Sequence, residues 1–594
     1  MDVPAIGDAS LIPALITRVM SHPEHCAMRF RGTSITNGDL LRAASQFAGW
    51  LHHAGLGHGA RVGVCLDRGP GTLAMLLALW MSGMVYVPLD PALPRERLFS
   101  MCTTASLDVI VTEARLTSVT ARLPCALMML EEAALTAPAS GSSAFGASLE
   151  RLPLAADDLA YILFTSGSSG VPKGVRIGHG NLAALVAGIL PLLELREGCR
   201  LLGCARFGFD IAFFELLAPL LCGGTLVLAD SDECRSPLAL LQLIEREQVT
   251  VVQATPSHWQ LLTALPWTHS LDVAIATGEA LMRGTASAVL RHSERLWNLY
   301  GPTECTIWAS AHRVVAEDLL GTAPAVVSIG SAIPGYSLTI TAPDASGGGE
   351  LVIHGDGVGL GYCGEQGTNG AFRPCPLTSA RTYHSGDLCR RDAAGLLHYL
   401  GRLDMQVKHN GYRIDLGEIE HLLQRHMSIQ RAACGVYPPG EAVPGLLFAC
   451  IEARAGSPNR NKKTLNDYLA DHLPAWMLPQ RYFFVDHLPV TDNGKLDRTA
   501  LRAMAAPVST RHQPGSLEAR VAAIFCDVLG IDRIGPCDSF LDLGGSSMLA
   551  ATLVLALNEH LGSGLTLRQA LATPPTVDSI VQLLRAAPAS SVAS

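Results

Sequence analysis

At 594 residues the chain is too long for one domain, and two to four are expected. With 48% hydrophobic and 16% charged residues, it has the composition of a globular protein with apolar material for a large core. The net charge of −9, with no basic run to offset it, argues against a nucleic-acid-binding face.

The sixteen cysteines are scattered from Cys26 to Cys537 without one Cys-x-x-Cys pair. That spacing predicts reduced cytosolic thiols rather than a zinc site or a small disulfide framework. The N-terminal "MDVPAIGDAS" is acidic and lacks the basic-then-apolar pattern of a signal peptide. Near the start, "LLRAASQFAGWLHHAGL" has helical spacing and "RVGVCLD" reads as a buried strand. The uncharged stretch 69–89 has the length of a membrane span, but Pro70, Gly71, Gly83 and Pro88 break it into turn, buried helix and strand, so no span is expected. Strands alternate with helices to about residue 400, through "TLVLAD", "LLQLIEREQ", "VTVVQAT" and "LDVAIATG", which predicts a parallel or mixed α/β sheet. From about residue 405 to about 500 the elements are shorter and more charged, as in a smaller α+β domain. Residues 505–516, "AAPVSTRHQPGS", read as a linker. Beyond it, "LEARVAAIFCDVLG", "MLAATLVLALNEHLG" and two shorter helical pieces predict a small helical bundle.

Residues 161–181, "YILFTSGSSGVPKGVRIGHGN", stand out within the α/β rhythm. A greasy strand leads into a loop of small and hydroxylated residues ending in Lys173, then into a second short strand; the next helix is expected at Asn181, a plausible cap. It is not a Walker A loop, because Val171 and Pro172 separate Gly170 from Lys173 and Gly174 replaces the Mg-binding hydroxyl. Glycines let successive N–H groups converge on one anion, while hydroxyls and a lysine add donors and charge. Taken alone, the stretch fits a phosphate cradle and a structural turn equally well.

Other stretches share the chain with it. "NLYGPTECTIWAS" sets Glu304 after a Gly-Pro turn, "YHSGDL" puts Asp387 in a turn, and "GRLDMQVKHNGYRIDLGEIE" follows. "LPVTDNGKLDR" presents Lys495 on an Asn-Gly turn. Singly, each is compatible with a surface turn. Together, in this order and with "YVPLDPALPRERL" and "LPAWMLP", they closely resemble the adenylation domains of nonribosomal peptide synthetases, members of the acyl-adenylate-forming superfamily. The resemblance covers about residues 20 to 500. "FLDLGGSSML" resembles the Leu-Gly-Gly-x-Ser signature of a peptidyl carrier domain, with Ser547 as the modified serine and Ser546 where His or Asp is commoner.

The resemblance implies a multidomain α/β chain: a large adenylate-forming N-terminal core over 1–403, a small α+β lid over 404–504, a linker over 505–516 and a four-helix-bundle carrier over 517–586. It implies ATP, Mg²⁺ and a covalent 4'-phosphopantetheine. Thr165, Ser166, Gly167, Ser168, Ser169, Gly170 and Lys173 would hold the β- and γ-phosphates, and Glu304 and Thr165 would hold Mg²⁺. Asp387 would take the ribose hydroxyls, Tyr300 with the Gly278-Glu279 turn would flank the adenine, and Asn298 and Arg402 would help fix the nucleotide. Lys495 would bridge substrate carboxylate and α-phosphate. Asp404 would be the hinge about which the lid rotates for thioester formation, bringing in a segment where Asn410 replaces the family's usual arginine.

By the same resemblance, Asp210 in "FGFDIAFFE" would pair with a substrate α-ammonium, a contact of roughly 4 kcal/mol at about 4 Å before desolvation costs. Asp210, Ile211, Phe214, Gln253, Ile275, Thr277, Leu299, Ile307, Trp308 and Lys495 would line the pocket, similar to glycine-activating domains except for Thr277, where glycine is usual. A small amino acid is implied, glycine foremost, with alanine and serine as alternatives; Gln253 and Thr277 could bond a small polar side chain. The expected partners are a phosphopantetheinyl transferase, downstream condensation or tailoring enzymes and a small activator protein if one is needed, with no nucleic acid and no membrane. An acyl- or aryl-acid ligase with a fused carrier, and a degenerate non-catalytic scaffold, are the rival readings.

Overall fold

The computed structural model describes residues 10–130, 154–167, 172–320, 325–341, 343, 347–364, 370–374, 381–409, 411–437, 446–454, 462–490, 496–505, 515–529, 534–536, 539–540, 547–571 and 575–586. The chain forms two compact units, one running to Asp404 and the other taking in Met405 onward together with residues 257–266.

Among the described residues, the first unit holds a nine-stranded sheet, a six-stranded sheet and a five-stranded antiparallel sheet. The strands Arg200–Gly203, Val251–Ala254, Leu271–Thr277 and Ser293–Tyr300 lie side by side and parallel in the nine-stranded sheet. They read as continuous apolar runs because helices cover such sheets on both faces. The six-stranded sheet is parallel apart from its last pair. Pro70–Met81 is a helix with nearly every side chain buried, followed by the strand Val85–Pro88, so the apolar stretch is core and not a span. No helix of the described residues is long and apolar enough to cross a membrane.

The strand Leu159–Thr165 pairs antiparallel with Lys173–Gly178, the strand–loop–strand unit expected from the sequence. The following helix, His179–Leu193, starts two residues before Asn181. Asn181 does cap it, but from inside: its Oδ1 accepts the Gly178 amide N–H at 2.8 Å, and its Nδ2 donates to the Val358 carbonyl at 3.0 Å.

In the second unit, the ribbon Gln406–His409 and Tyr412–Asp415 precedes a three-stranded sheet of Ile429–Tyr437, Leu446–Ala453 and Arg481–Val485 with the helix Leu416–Arg425, an α+β arrangement. Farther along, the helices Leu517–Leu529, Ser547–Leu561, Leu567–Ala570 and Val577–Ala586 enclose their own apolar core, in which Phe525 and Phe540 meet edge to face at 5.5 Å.

The described cysteines are free thiols. Burial pushes those of Cys65, Cys102 and Cys199 up to about 12, and those of Cys204 and Cys434 well above the ordinary value.

Candidate active site

Thr165 closes its strand directly opposite Lys173 in the antiparallel register, so both ends of the Gly/Ser loop are pinned to one hydrogen-bonded rung. Ser166 is buried, while Ser168, Ser169 and Gly170 lie outside the described residues. The Lys173 ammonium sits over the ring of Tyr362, 5.6 Å from its centroid, and the Tyr362 hydroxyl donates to Glu304 Oε1 at 2.7 Å. One aromatic side chain therefore joins the loop lysine to the buried carboxylate. Nothing in the local sequence around Tyr362 announces this; the residue arrives because segment 359–363 hydrogen-bonds alongside Lys173–Gly178.

Glu304 is 1% exposed and sits in the single 3-10 turn Thr303–Cys305. The Gly-Pro entry is sterically required, because a Cβ on Gly301 would lie 2.5 Å from the Ile307 carbonyl oxygen. After the turn, Thr306 and Ile307 both take left-handed backbone, with φ of 59° and 69°. Two β-branched residues there store strain of about 1–3 kcal/mol each. The conformation is held by the Thr306 hydroxyl donating to the Gly357 carbonyl at 2.7 Å and by the Trp308 N–H donating to the Thr306 carbonyl at 2.8 Å.

Asp210 stands at the N-cap of the helix Ile211–Cys222, though its side chain does not cap it. Burial pushes its carboxyl up to about 6; hydrogen bonds from Thr303 and the Ile211 amide oppose this, and the Glu304 charge adds to it. Asp210 thus shares one desolvated site with the adjacent pair Thr303 and Glu304, far from it in sequence. Thr303 was legible only as a neighbour of Glu304 in "GPTECT". Like charges in a low dielectric favour added cations, so this donor set fits a hard divalent ion at Glu304 and an ammonium at Asp210.

The expected pocket residues come from neighbouring elements. Gln253 pairs with Ile275, and Thr277 with Leu299, across adjacent parallel strands. The Trp308 indole N–H donates to the Thr277 hydroxyl oxygen at 2.8 Å, and Phe214 meets the Trp308 ring edge to face at 4.8 Å. Gln253, 1% exposed, donates from Nε2 to Glu215 Oε1 at 3.2 Å and to the Ile211 carbonyl at 3.4 Å. The Thr277 hydroxyl oxygen and the Gln253 Nε2 are therefore engaged with protein partners, while Gln253 Oε1 has no hydrogen-bond partner among the described residues. Ile307 reaches the set through its strained turn.

Asp387 is not in a turn. It lies in the strand Arg381–Arg391, where the pairing shifts register between Glu350 and Val352. Such a bulge re-aims a side chain without ending the strand. The Tyr300 hydroxyl donates to Asp387 Oδ2, and Arg402, its cross-strand neighbour, donates to Oδ1 at 2.5 Å. Burial and the Asp387 charge push the Tyr300 phenol well above its ordinary value. Each carboxylate oxygen retains acceptor capacity for a further hydroxyl. Arg402 also donates to both oxygens of Asp404 at 2.6 and 2.8 Å. Gly278 takes φ of 86° just after the strand Leu271–Thr277, with Glu279 next to it, and Asn298 is buried with Nδ2 donating to the Ser328 carbonyl at 2.8 Å.

Lys495, Asn410 and Ser546 lie outside the described residues. Ser547 is the first residue of the helix Ser547–Leu561, and the positive dipole end of a helix suits a phosphodiester.

Comparison with known proteins gives three family matches: AMP-binding enzyme over residues 16–363, AMP-binding enzyme C-terminal domain over 418–495, and phosphopantetheine attachment site over 519–584. The chain is 34% identical over 569 residues to the dimodular nonribosomal peptide synthase of Bacillus subtilis, and 33% identical over 557 residues to the PKS-NRPS hybrid synthetase acdB of Aspergillus candidus. These alignments take in 93% and 91% of the chain but only 23% and 22% of the relatives, so the chain spans less than a quarter of their length. Among solved structures, it is similar to holo-PA1221, a protein containing adenylation and carrier domains, with TM-score 0.77 and 28% identity over 97% of this chain and 96% of that one. It is also similar to the four-domain nonribosomal peptide synthetase AB3403, solved with AMP and glycine, with TM-score 0.60 and 30% identity over 98% of this chain and 43% of that one. The chain belongs to the AMP-binding enzyme family, with that family's C-terminal domain and a phosphopantetheine attachment domain following its core in the same polypeptide.

Proposed function

We propose that the chain activates a small amino acid, glycine foremost, as aminoacyl-AMP and loads it onto its own carrier domain for nonribosomal peptide synthesis. The observation that carries this reading is the desolvated carboxyl of Asp210 beside Glu304. A fatty-acid or aryl-acid substrate has no use for Asp210, whereas an α-ammonium relieves its burial. A degenerate scaffold is disfavoured by the intact Lys173–Tyr362–Glu304 and Tyr300–Asp387–Arg402 connections.

In this reading the substrate carboxylate attacks the α-phosphate of ATP and pyrophosphate leaves. Thr165, the Gly/Ser loop and Lys173 hold the phosphates. Glu304 and Thr165 would hold Mg²⁺, whose chemistry when bound is to neutralise phosphate charge. Asp387 takes the ribose hydroxyls, Tyr300 and the Gly278-Glu279 turn flank the adenine, Asn298 and Arg402 help fix the nucleotide, and Lys495 stabilises charge between the reacting carboxylate and phosphorus. Ser547 would carry the phosphopantetheine arm, whose thiol accepts the acyl group. Asp404, the last residue of the first unit, is proposed as the hinge, with proposed domain limits of 1–403, 404–504 and 517–586 and a linker over 505–516. A phosphopantetheinyl transferase and downstream synthetase enzymes are the proposed partners, and the cytoplasm the proposed location.

Glycine is favoured because Trp308, Phe214 and Thr277 brace one another as bulky walls and because the hydroxyl of Thr277 is already engaged, which leaves less for serine. AB3403, at 30% identity, was solved with AMP and glycine, and that too supports the reading. The deciding measurement is ATP–pyrophosphate exchange across the twenty amino acids: glycine should lead, and an aromatic or long side chain at the head of the ranking would overturn the assignment.

A further inference from the structure

Glu215 belongs to none of the functions assigned so far, yet it is 2% exposed and its carboxyl oxygens accept hydrogen bonds from the backbone of residues 204 and 205 and from the side chain of Gln253. It lies on the helix Ile211–Cys222, and its Oε2 accepts the amide N–H groups of both Cys204 and Ala205 at 2.9 Å. Its Oε1 accepts from Gln253 Nε2. From the other side, Arg68 donates to the carbonyls of Gly203 and Ala205, at 2.8 Å for the first, and its guanidinium lies 4.7 Å from the Phe207 ring centroid. The peptide units around Ala205 are therefore gripped by a carboxylate on their N–H side and a guanidinium on their carbonyl side. The loop so gripped, 204–209, leads directly into Asp210.

We propose that Glu215 is a positioning residue for amino-acid recognition: from one carboxylate it fixes both the loop that delivers Asp210 and the side chain of Gln253, and so sets their separation. The inference rests on the amino-acid-activating reading above. Among the described residues Gln253 Oε1 is buried without a hydrogen-bond partner, so the amide is held through Nε2 alone, by Glu215 Oε1 at 3.2 Å and the Ile211 carbonyl at 3.4 Å.

The test is pyrophosphate exchange by the full chain, with amino acid and ATP varied in turn, for wild type, Glu215→Ala, Glu215→Asp and Glu215→Gln. Losing these buried hydrogen bonds is expected to raise the amino-acid KM about tenfold in the Ala and Asp variants. The KM for ATP should stay within about twofold, the separation that marks lost substrate positioning rather than general damage. Glu215→Gln should restore the amino-acid KM to within about threefold, because its amide oxygen can take the Cys204 and Ala205 N–H groups and its NH2 can donate to Gln253 Oε1 once that amide rotates. If Glu215→Ala does not fold, Glu215→Asp carries the decision. A wild-type amino-acid KM in the variants that fold, a parallel rise in both KM values, or a Gln variant as impaired as Asp overturns the inference alone. A wild type that exchanges with no amino acid overturns the underlying reading, and the inference with it.

Discussion

The indole N–H of Trp308 donates to the hydroxyl oxygen of Thr277 at 2.8 Å, and both side chains are buried. In the proposed pocket, Thr277 would therefore narrow the space and fix the Trp308 ring. Thr277→Gly should admit larger side chains and at the same time destabilise the fold by about 1–3 kcal/mol, since a buried donor loses its partner. Relative kcat/KM for glycine, alanine, serine and valine, read beside Tm, checks both effects. An unchanged ranking would remove Thr277 from the pocket.

Asp210 yields a pH prediction. Its acid is held up to about 6 from an ordinary 3.8, so ionising it opposes folding. That penalty is absent below 3.8, grows as pH rises toward about 6, and is constant above it. Asp210→Asn should raise Tm at neutral pH, the gap closing on acidification, while exchange with every amino acid is lost. In the wild type, the amino-acid KM should climb as pH falls through about 6, where the carboxyl takes up its proton. A Tm for Asp210→Asn below wild type at neutral pH would contradict the burial argument.

Tyr362→Phe keeps the ring beneath Lys173 but deletes the hydroxyl on Glu304. Catalytic efficiency toward ATP should fall about tenfold, the scale of one hydrogen bond to a charged group, and the Mg²⁺ concentration giving half-maximal rate should rise. The amino-acid KM should be unaffected. Magnesium titrations that overlay in the two proteins would sever Tyr362 from the proposed metal site.

Ser547→Ala should acquire no phosphopantetheine arm when treated with coenzyme A and a phosphopantetheinyl transferase, and form no aminoacyl thioester, yet retain pyrophosphate exchange. Ser546→Ala should be modified as the wild type is. Intact-protein mass spectrometry reads the outcome, and an arm on Ser547→Ala would reassign the site.

The parallel strands, the Gly/Ser loop between antiparallel partners and the helical carrier were legible because each is written in local periodicity and punctuation. Motif resemblance located Glu304, Asp387 and Asp210. What escaped was set by pairing between distant segments. Tyr362 meets Glu304 only because residues 359–363 run beside Lys173–Gly178. Asp387 looked like a turn residue because "SGD" is turn chemistry, whereas strand pairing on both sides absorbs it as a bulge. Asn181 was read as a cap at the helix start, but it reaches back from the first turn. Glu215 lay unremarked at the end of an aromatic run, its three donors coming from elements that the sequence cannot bring together.

The buried, proton-retaining thiols have a chemoselective consequence. An aminoacyl adenylate is attacked by thiolate, not by thiol. Cys204, whose backbone Glu215 holds next to the proposed pocket, has its thiol pushed well above the ordinary value, and burial holds Cys199 up to about 12. Such side chains stay protonated at neutral pH and do not compete for the activated acyl group. A mobile thiol delivered on a phosphopantetheine arm, free to ionise in water, then meets no rival from these cysteines of the core. Self-acylation of them should be negligible even when the adenylate accumulates.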